Sequence, residues 1–282
     1  MHPRNRYQAP HDFPALATVV PELADHFTQT PDGRQTLKFT HPEAVRLLNK
    51  ALLLRDYGLK YWDIPRGNLC PGIPGRLDYI HLLAELIGTE EDVIGLDVGT
   101  GASLVSPILG VKEYGWRFVA TDVDATALKV AGAIAKFNPG LKRSIILRRQ
   151  PARTAVFSNV ILPTERFAFT MCNPPFFASA EAAEEAARKK WTKLGKTPEN
   201  DLSFGGQANE LWTEGGEPAF LRRMIRESED YRGQVGWFTT LVSKKGYLVT
   251  ARQLLRQSKA RKVKELPLGH GGKIRRVLAW RY

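Results

Sequence analysis

The sequence predicts an α/β fold organised on a doubly wound, mostly parallel sheet, and three observations carry that reading. From residue 93 onward, short apolar runs alternate with amphipathic helical segments, as expected of strands covered by helices on both faces. The first run, Val93 to Val98, ends in Gly99-Thr100-Gly101, where paired glycines let the backbone turn sharply and approach a ligand closely. The chain has 282 residues, 43% of them hydrophobic and 10% aromatic, enough to fill one large core with an N-terminal attachment.

Residues 1–40 carry Pro, Gln, Thr and single basic residues with little periodicity, and read as an irregular arm holding Arg4, Arg6 and Arg34. A helix follows, with Thr40 and Glu43 at capping-box spacing, Leu48 and Leu52 in helical period and Gly58 as its stop. Pro65, Gly67, Pro71, Gly72, Pro74 and Gly75 then break any regular element, so 61–75 is expected to be a shaped loop. This places an N-terminal part at 1–75 and the main domain at 76–282.

Arg76 to Ile87 resumes helical spacing through Leu77, Ile80 and Leu83. After the strand at 93–98, a second runs from Arg117 to Thr121 and ends at Asp122, before a helix from Ala125 to Phe137. Further strands are expected at Ser144 to Leu147, Phe167 to Cys172, Val235 to Val242, Lys262 to Leu266 and Val277 to Arg281. Helices are expected near Glu217 to Tyr231 and Tyr247 to Gln257. The polar stretch 178–215 is too long for a routine connection and reads as a mobile, functional loop.

No apolar run approaches the ~20 residues of a bilayer helix, and the opening Met1-His2-Pro3-Arg4 lacks a signal peptide's apolar stretch. A soluble, intracellular protein is expected. Cys70 and Cys172 are too few for a disulfide framework, and the six His show no metal-ligand spacing, so no metal is expected. Lys and Arg number 41 against 29 Asp and Glu, a net charge of +12 that either keeps the protein soluble or draws in a polyanion.

Position 104, where a dinucleotide-binding turn has its third glycine, is Leu, which favours a turn holding a nucleoside over one holding a pyrophosphate. Asp122 closes the second strand, from which an acidic side chain reaches ribose hydroxyls; alternatively it caps the helix starting near Asp124. Asn173-Pro174-Pro175-Phe176-Phe177 ends another strand. Proline fixes φ and lacks an N–H, so carbonyl oxygens point in set directions beside the Asn173 amide, an arrangement that suits an amine substrate. Adenine's exocyclic amine is a poor nucleophile because its lone pair is delocalised. Accepting its hydrogens on the Asn173 side chain and the Pro174 carbonyl favours a pyramidal nitrogen, with Phe176 stacking on the base; the bland alternative is a Pro-Pro turn with two core Phe residues.

Basic residues gather at 142–153 (Lys142, Arg143, Arg148, Arg149, Arg153), at 188–196 (including Lys189 and Lys190) and at 261–276 (including Lys273, Arg275 and Arg276). With Arg4 and Arg6, these clusters are better explained by phosphates along a folded RNA than by a solvated face. Trp191 and Trp212 either stack on bases or anchor the loop.

Asp97 to Gly101 together with Asn173 to Phe176 resembles the class I, Rossmann-like S-adenosylmethionine-dependent N6-adenine methyltransferases. Arg4-Asn5-Arg6-Tyr7, Asp12-Phe13, Pro42 to Arg46, Arg76 to His81, Asp97 to Ser103, Asn173 to Phe177, Glu214 to Glu217 and Leu278 to Trp280 narrow that to the methyltransferase-like protein 16 family, over nearly the whole chain. The resemblance implies S-adenosyl-L-methionine as cofactor. It implies that Arg76 approaches the methionine carboxylate, that Asp97, Gly99, Gly101 and Ser103 line the cofactor, and that Asp122 holds the ribose. Thr154 would lie near the adenine, Asn173 would touch both cofactor and target base, and Arg153 would fall in a loop that moves in and out of the cofactor pocket; Arg153 and Phe177 are also expected to contact the RNA. It further implies an N-terminal RNA-binding extension and a structured RNA substrate resembling the U6 snRNA hairpin, with adenosine N6 as acceptor and a nuclear location in a eukaryote or a cytoplasmic one otherwise. A bacterial branch of the family acts on 23S ribosomal RNA. Methylation of a protein glutamine, whose amide poses the same nucleophilicity problem, and a catalytically idle RNA-binding protein are the rival readings.

Overall fold

The computed structural model describes residues 1–89, 91–193, 212–270 and 273–282. Seven strands form one sheet: β3 (Ile94–Val98), β4 (Arg117–Asp122), β5 (Ile145–Arg149), β6 (Phe167–Cys172), β7 (Val235–Val242), β8 (Lys262–His270) and β9 (Lys273–Arg281). Their spatial order is β5-β4-β3-β6-β7-β9-β8. The first five are parallel, and β9 runs antiparallel between β7 and β8. The order reverses at β3, which has β4 on one side and β6 on the other. Val98 pairs with both Thr121 and Cys172, so the loops after β3, β4 and β6 leave the sheet at one level. That crevice at the strands' carboxyl ends is where an open α/β sheet binds its ligand.

Period-two alternation in the strands feeds two cores. Val277 and Ala279 face one layer with α3 (Ile73–Ile87), α4 (Val105–Tyr114) and α5 (Ala125–Phe137), while Leu278 and Trp280 face the other with α8 (Gly216–Ser228) and α9 (Tyr247–Gln257). The sheet is thus covered on both faces, as predicted.

The N-terminal forty residues depart from the expected irregular arm. Asp12 caps α1 (Phe13–Val19), accepting the Ala15 amide at 3.0 Å; a 3-10 turn at Pro21–His26 and a hairpin of β1 (Phe27–Gln29) and β2 (Gln35–Leu37) follow. Tyr7, Phe13, Leu16, Val20, Leu23 and Leu37 are buried in the same core as α2 (Pro42–Tyr57), α3 and α4. These elements are each too short to show a period, so their core role is visible only in three dimensions.

Other boundaries shift for local reasons. Helix α2 starts at Pro42 without the expected capping box: His41 is the N-cap, and Glu43 accepts from Arg46 Nε and Nη2 at 3.0 and 2.6 Å. Helix α3 begins at Ile73, three residues earlier than expected, because Pro74 suits a first turn whose N–H groups lack partners. The supposed loop after residue 178 opens as α7 (Ala180–Lys193), in which Ala, Glu and Lys are strong helix formers and the Ser179 hydroxyl accepts the Ala182 amide. The expected mobile part continues through 194–211, outside the described residues. Between β4 and β5, α6 (Pro139–Ser144) follows α5 directly.

Candidate active site

An open cleft of about 310 Å³ lies at the carboxyl ends of β3, β4 and β6. All eight residues expected to hold a cofactor line it: Arg76, Asp97, Gly99, Gly101, Ser103, Asp122, Thr154 and Asn173. The turn after β3 is fixed from two sides. The Gly99 and Thr100 amides both donate to the Thr121 carbonyl at 2.9 Å, and the Trp62 indole donates to the Ser103 carbonyl at 2.8 Å. Gly99 has φ +74°, and a Cβ there would meet no atom within 4 Å, so a side chain would occupy the cleft itself. Leu104 also adopts a left-handed backbone, φ +53°, with its side chain fully buried. The turn therefore keeps a left-handed residue at the fingerprint's third-glycine position, at a backbone cost of roughly 1–2 kcal/mol.

Asp122 accepts the Gly101 amide at 2.8 Å and the Asp124 amide at 2.9 Å, coupling the two loops. It does not cap α5; Asp124 does, accepting from Thr126 and Ala127. Burial raises the Asp122 carboxyl's pKa, and the Asp124 and Gly101 amides oppose that. Deeper in, burial pushes Asp97 up to about 7 against the pull of Thr100 and Arg76. Burial and the like charge of Arg275 bring Arg76 down to about 10, which leaves it cationic at neutral pH. Burial likewise keeps the Cys172 thiol protonated, so it is no nucleophile.

Asn173 follows directly from β6. Its Oδ1 is buried and has no hydrogen-bond partner among the described residues. An unpaired buried acceptor is expensive, so this atom is built for a ligand's donor. The neighbouring segment 212–214 closes the wall: Trp212 pairs in parallel with Phe177, and the Thr213 amide donates to the Phe177 carbonyl at 3.0 Å.

Not every expected site residue reaches the cleft. Pro175 lines it, but Pro174, Phe176 and Phe177 do not; the aromatic side chains in the wall are Tyr79, Trp212 and Phe220. Arg153 does line it. Arg148 instead makes a two-pronged pair with Glu165 at 2.7 and 2.8 Å, and Arg34 pairs with Asp32 at 2.6 Å on the N-terminal hairpin. Arg149 and Arg275 are exposed and Arg276 half-buried. Lys189, Lys190 and Lys273 lie where only the backbone is described.

Arg4 and Arg6 are N-terminal clamps. Arg4 bonds the His81 carbonyl at 3.2 Å and lies near Glu85 and the Tyr114 ring; Arg6 meets Glu113 at 2.8 Å and the Tyr57 ring. Those partners sit near the C-terminal ends of α2, α3 and α4, whereas Arg76 and Val105 line the cleft near the N-terminal ends of α3 and α4. At about 1.5 Å per residue, a distance of about 8–14 Å along α3 and α4 separates the two groups, the His81 carbonyl being the nearest.

Sequence reasoning missed Glu227. From α8 its carboxylate accepts the amides of Val156 at 3.0 Å, Phe157 at 2.8 Å and Ser158 at 3.1 Å, and the Ser158 hydroxyl at 3.2 Å. It thereby sets the loop that carries Arg153 and Thr154. Gln150 assists by donating to the Ser158 carbonyl and accepting the Ala152 amide. An acid on a polar helix face, about seventy residues away in sequence, leaves no local signature.

The sheet order, the glycine turn, the acid ending β4 and the Asn-Pro-Pro segment ending β6 define a class I methyltransferase that uses S-adenosylmethionine. A cationic Arg76, the open Gly99 cradle and the unpartnered Asn173 oxygen fit that cofactor. A family model described as RNA methyltransferase matches residues 1–282, and the chain belongs to that family. It is 46% identical over 287 residues to the ribosomal RNA large subunit methyltransferase F of Klebsiella pneumoniae, covering 100% of this chain and 94% of the relative. The namesake protein of Aeromonas salmonicida is 46% identical over 291 residues, covering 100% and 91%. Among solved structures, the human METTL16 catalytic domain in complex with MAT2A 3′UTR hairpin 1 superposes with TM-score 0.86 at 35% identity, covering 100% and 95%. The N-terminal domain of human METTL16 in complex with SAH gives TM-score 0.81 at 32% identity, covering 100% and 98%. The protein is therefore an RNA methyltransferase.

Proposed function

We propose that the protein methylates N6 of an adenosine in a structured segment of large-subunit ribosomal RNA. The observation that carries the chemistry is the buried, unpartnered Oδ1 of Asn173 on the cleft wall. S-adenosylmethionine supplies an electrophilic methyl group. Arg76 offers its guanidinium to the amino-acid carboxylate, and Asp122 keeps lone pairs for ribose hydroxyls beyond the two amides it already accepts. The Asn173 oxygen accepts a hydrogen of the adenine amine, which concentrates the nitrogen lone pair for attack; the Pro174 carbonyl expected to take the other hydrogen does not line the cleft.

The ribosomal assignment rests on the 46% identity to proteins of that name along the full chain. It is preferred to the expectation of a U6-like hairpin, which came from the family resemblance; the 35% identical catalytic domain is in complex with MAT2A 3′UTR hairpins. The test is to incubate the protein with labelled S-adenosylmethionine and either protein-free large-subunit RNA or a U6 hairpin, digest the RNA and identify the labelled nucleoside. N6-methyladenosine in the large-subunit RNA is expected. A label on another nucleoside, or on the U6 hairpin alone, overturns the assignment. Asn173→Ala should fold normally and lose at least about a hundredfold in kcat/KM, ~2.7 kcal/mol of transition-state stabilisation; activity within about tenfold of wild type removes Asn173 from the chemistry.

A further inference from the structure

Asn173 Oδ1 is not the only orphan on the cleft wall. The Trp212 indole Nε1 and the Arg223 Nε are also buried without partners among the described residues, and both residues line the same cleft. Apart from the Thr100 hydroxyl, which lies against Asp97, the wall therefore presents one free acceptor and two free donors, and each orphan is costly until something meets it. Trp212 is held against the Asn-Pro-Pro segment by its backbone pairing with Phe177 and the Thr213 amide bond. Arg223 braces the same segment by donating from Nη2 to Thr213 Oγ1 at 2.8 Å, with its guanidinium 5.9 Å from the Phe220 ring. The backbone thus holds Trp212 beside the segment that carries Asn173, and both residues line the one cleft.

Adenine carries its N6 amine between two ring acceptors, N1 and N7. A site with one acceptor and one neutral donor side by side matches either edge. Arg223's charge suits anionic groups better, whereas a neutral indole N–H suits a neutral ring nitrogen. We infer that Trp212 is a specificity-determining residue whose indole N–H donates to a ring nitrogen of the target adenine while Asn173 accepts from its amine. This deepens, and rests on, the adenine-N6 reading above. The pair rejects guanine and uracil, since a carbonyl oxygen would then face the Asn173 oxygen and a ring N–H would face the indole N–H on the Watson–Crick edge. Unpaired buried groups in such a mismatch discriminate far more strongly than lost apolar contact does.

The test crosses Trp212→Phe, which keeps the ring and removes the N–H, with a synthetic RNA whose target adenosine is replaced by 1-deazaadenosine or 7-deazaadenosine. Each replacement exchanges one ring nitrogen for C–H. Trp212→Phe should lower kcat/KM on ordinary RNA by about tenfold or more. One of the two deaza substrates should lower the wild-type value similarly, and the variant with that substrate should lose no more than either change alone. Binding of S-adenosylhomocysteine, measured by calorimetry, should not change. Losses that multiply for both substrates, a Trp212→Phe activity within about twofold of wild type, or an about tenfold loss of cofactor affinity each overturn the inference. Wild-type protein that places no label on N6 of ordinary adenosine overturns the underlying function as well, and that outcome is distinct from multiplying losses.

Discussion

Asp97 is a carboxyl held in the wrong environment for its charge, and replacing it with Asn should stabilise the protein in a pH-dependent way. Its folded-state pKa is raised to about 7 from 3.8 by burial. Below about pH 4 the carboxyl is protonated in both folded and unfolded chains and resembles the Asn amide, so the variant and wild type should be equally stable. As pH rises from about 4 to about 7, the unfolded chain loses this proton first, so wild type is progressively destabilised. Across that interval, at about 1.36 kcal/mol per pH unit, the difference in favour of Asp97→Asn should grow to about 4 kcal/mol and then level off. Urea unfolding at several pH values, with matched m-values, measures it, and taking the difference between the two proteins cancels all other titrating groups. A difference that stays within ~1 kcal/mol from acid to neutral pH would refute the argument and show that Arg76 compensates the charge in full. The expected result means that the cleft holds a carboxylate at a cost to stability, as sites shaped for ligands often do.

Glu227→Ala removes the acceptor shared by three amides and a hydroxyl, so the loop bearing Thr154 should open; S-adenosylhomocysteine binding should weaken by about tenfold, ~1.4 kcal/mol, with faster hydrogen exchange at 152–158. Unchanged affinity together with unchanged exchange would refute that positioning role. The double substitution Arg4→Ala and Arg6→Ala should cost about 2 kcal/mol, from two half-exposed ion pairs and two cation–π contacts. It should leave the salt dependence of RNA binding intact, and a flatter logarithmic salt slope would instead place these side chains on phosphate.

Residues that act within a few positions of one another were legible in the sequence. Gly99 and Gly101 end an apolar strand, Asp122 ends the next, and Asn173 stands before two prolines; each signal is local because the backbone conformation and the chemistry reside in the same short segment. Since parallel strands in register bring their carboxyl ends together, predicting the strands gathers Asp97, Gly99, Gly101, Ser103, Asp122 and Asn173 into one cleft, whereas Arg76 on α3 and Thr154 on the loop after β5 were expected there from the family resemblance alone. Charge was less informative. The sequence supplies the number of arginines but not their partners, and Arg148 turned to Glu165 while Arg4 and Arg6 turned to the ends of helices.

The remaining features depend on contacts between distant segments. Leu16 and Leu23 become core only because the short N-terminal turns fold onto α2, and Glu227 becomes a loop anchor only because α8 packs beside residues 156–158. Trp212 becomes part of the cleft through its pairing with Phe177, 35 residues earlier in the sequence. Sequence by itself therefore determined the strand order's raw material, the glycine turn and the Asn-Pro-Pro segment. Tertiary structure alone decided which polar atoms are buried without partners, because burial and satisfaction are properties of the packed neighbourhood and have no period along the chain.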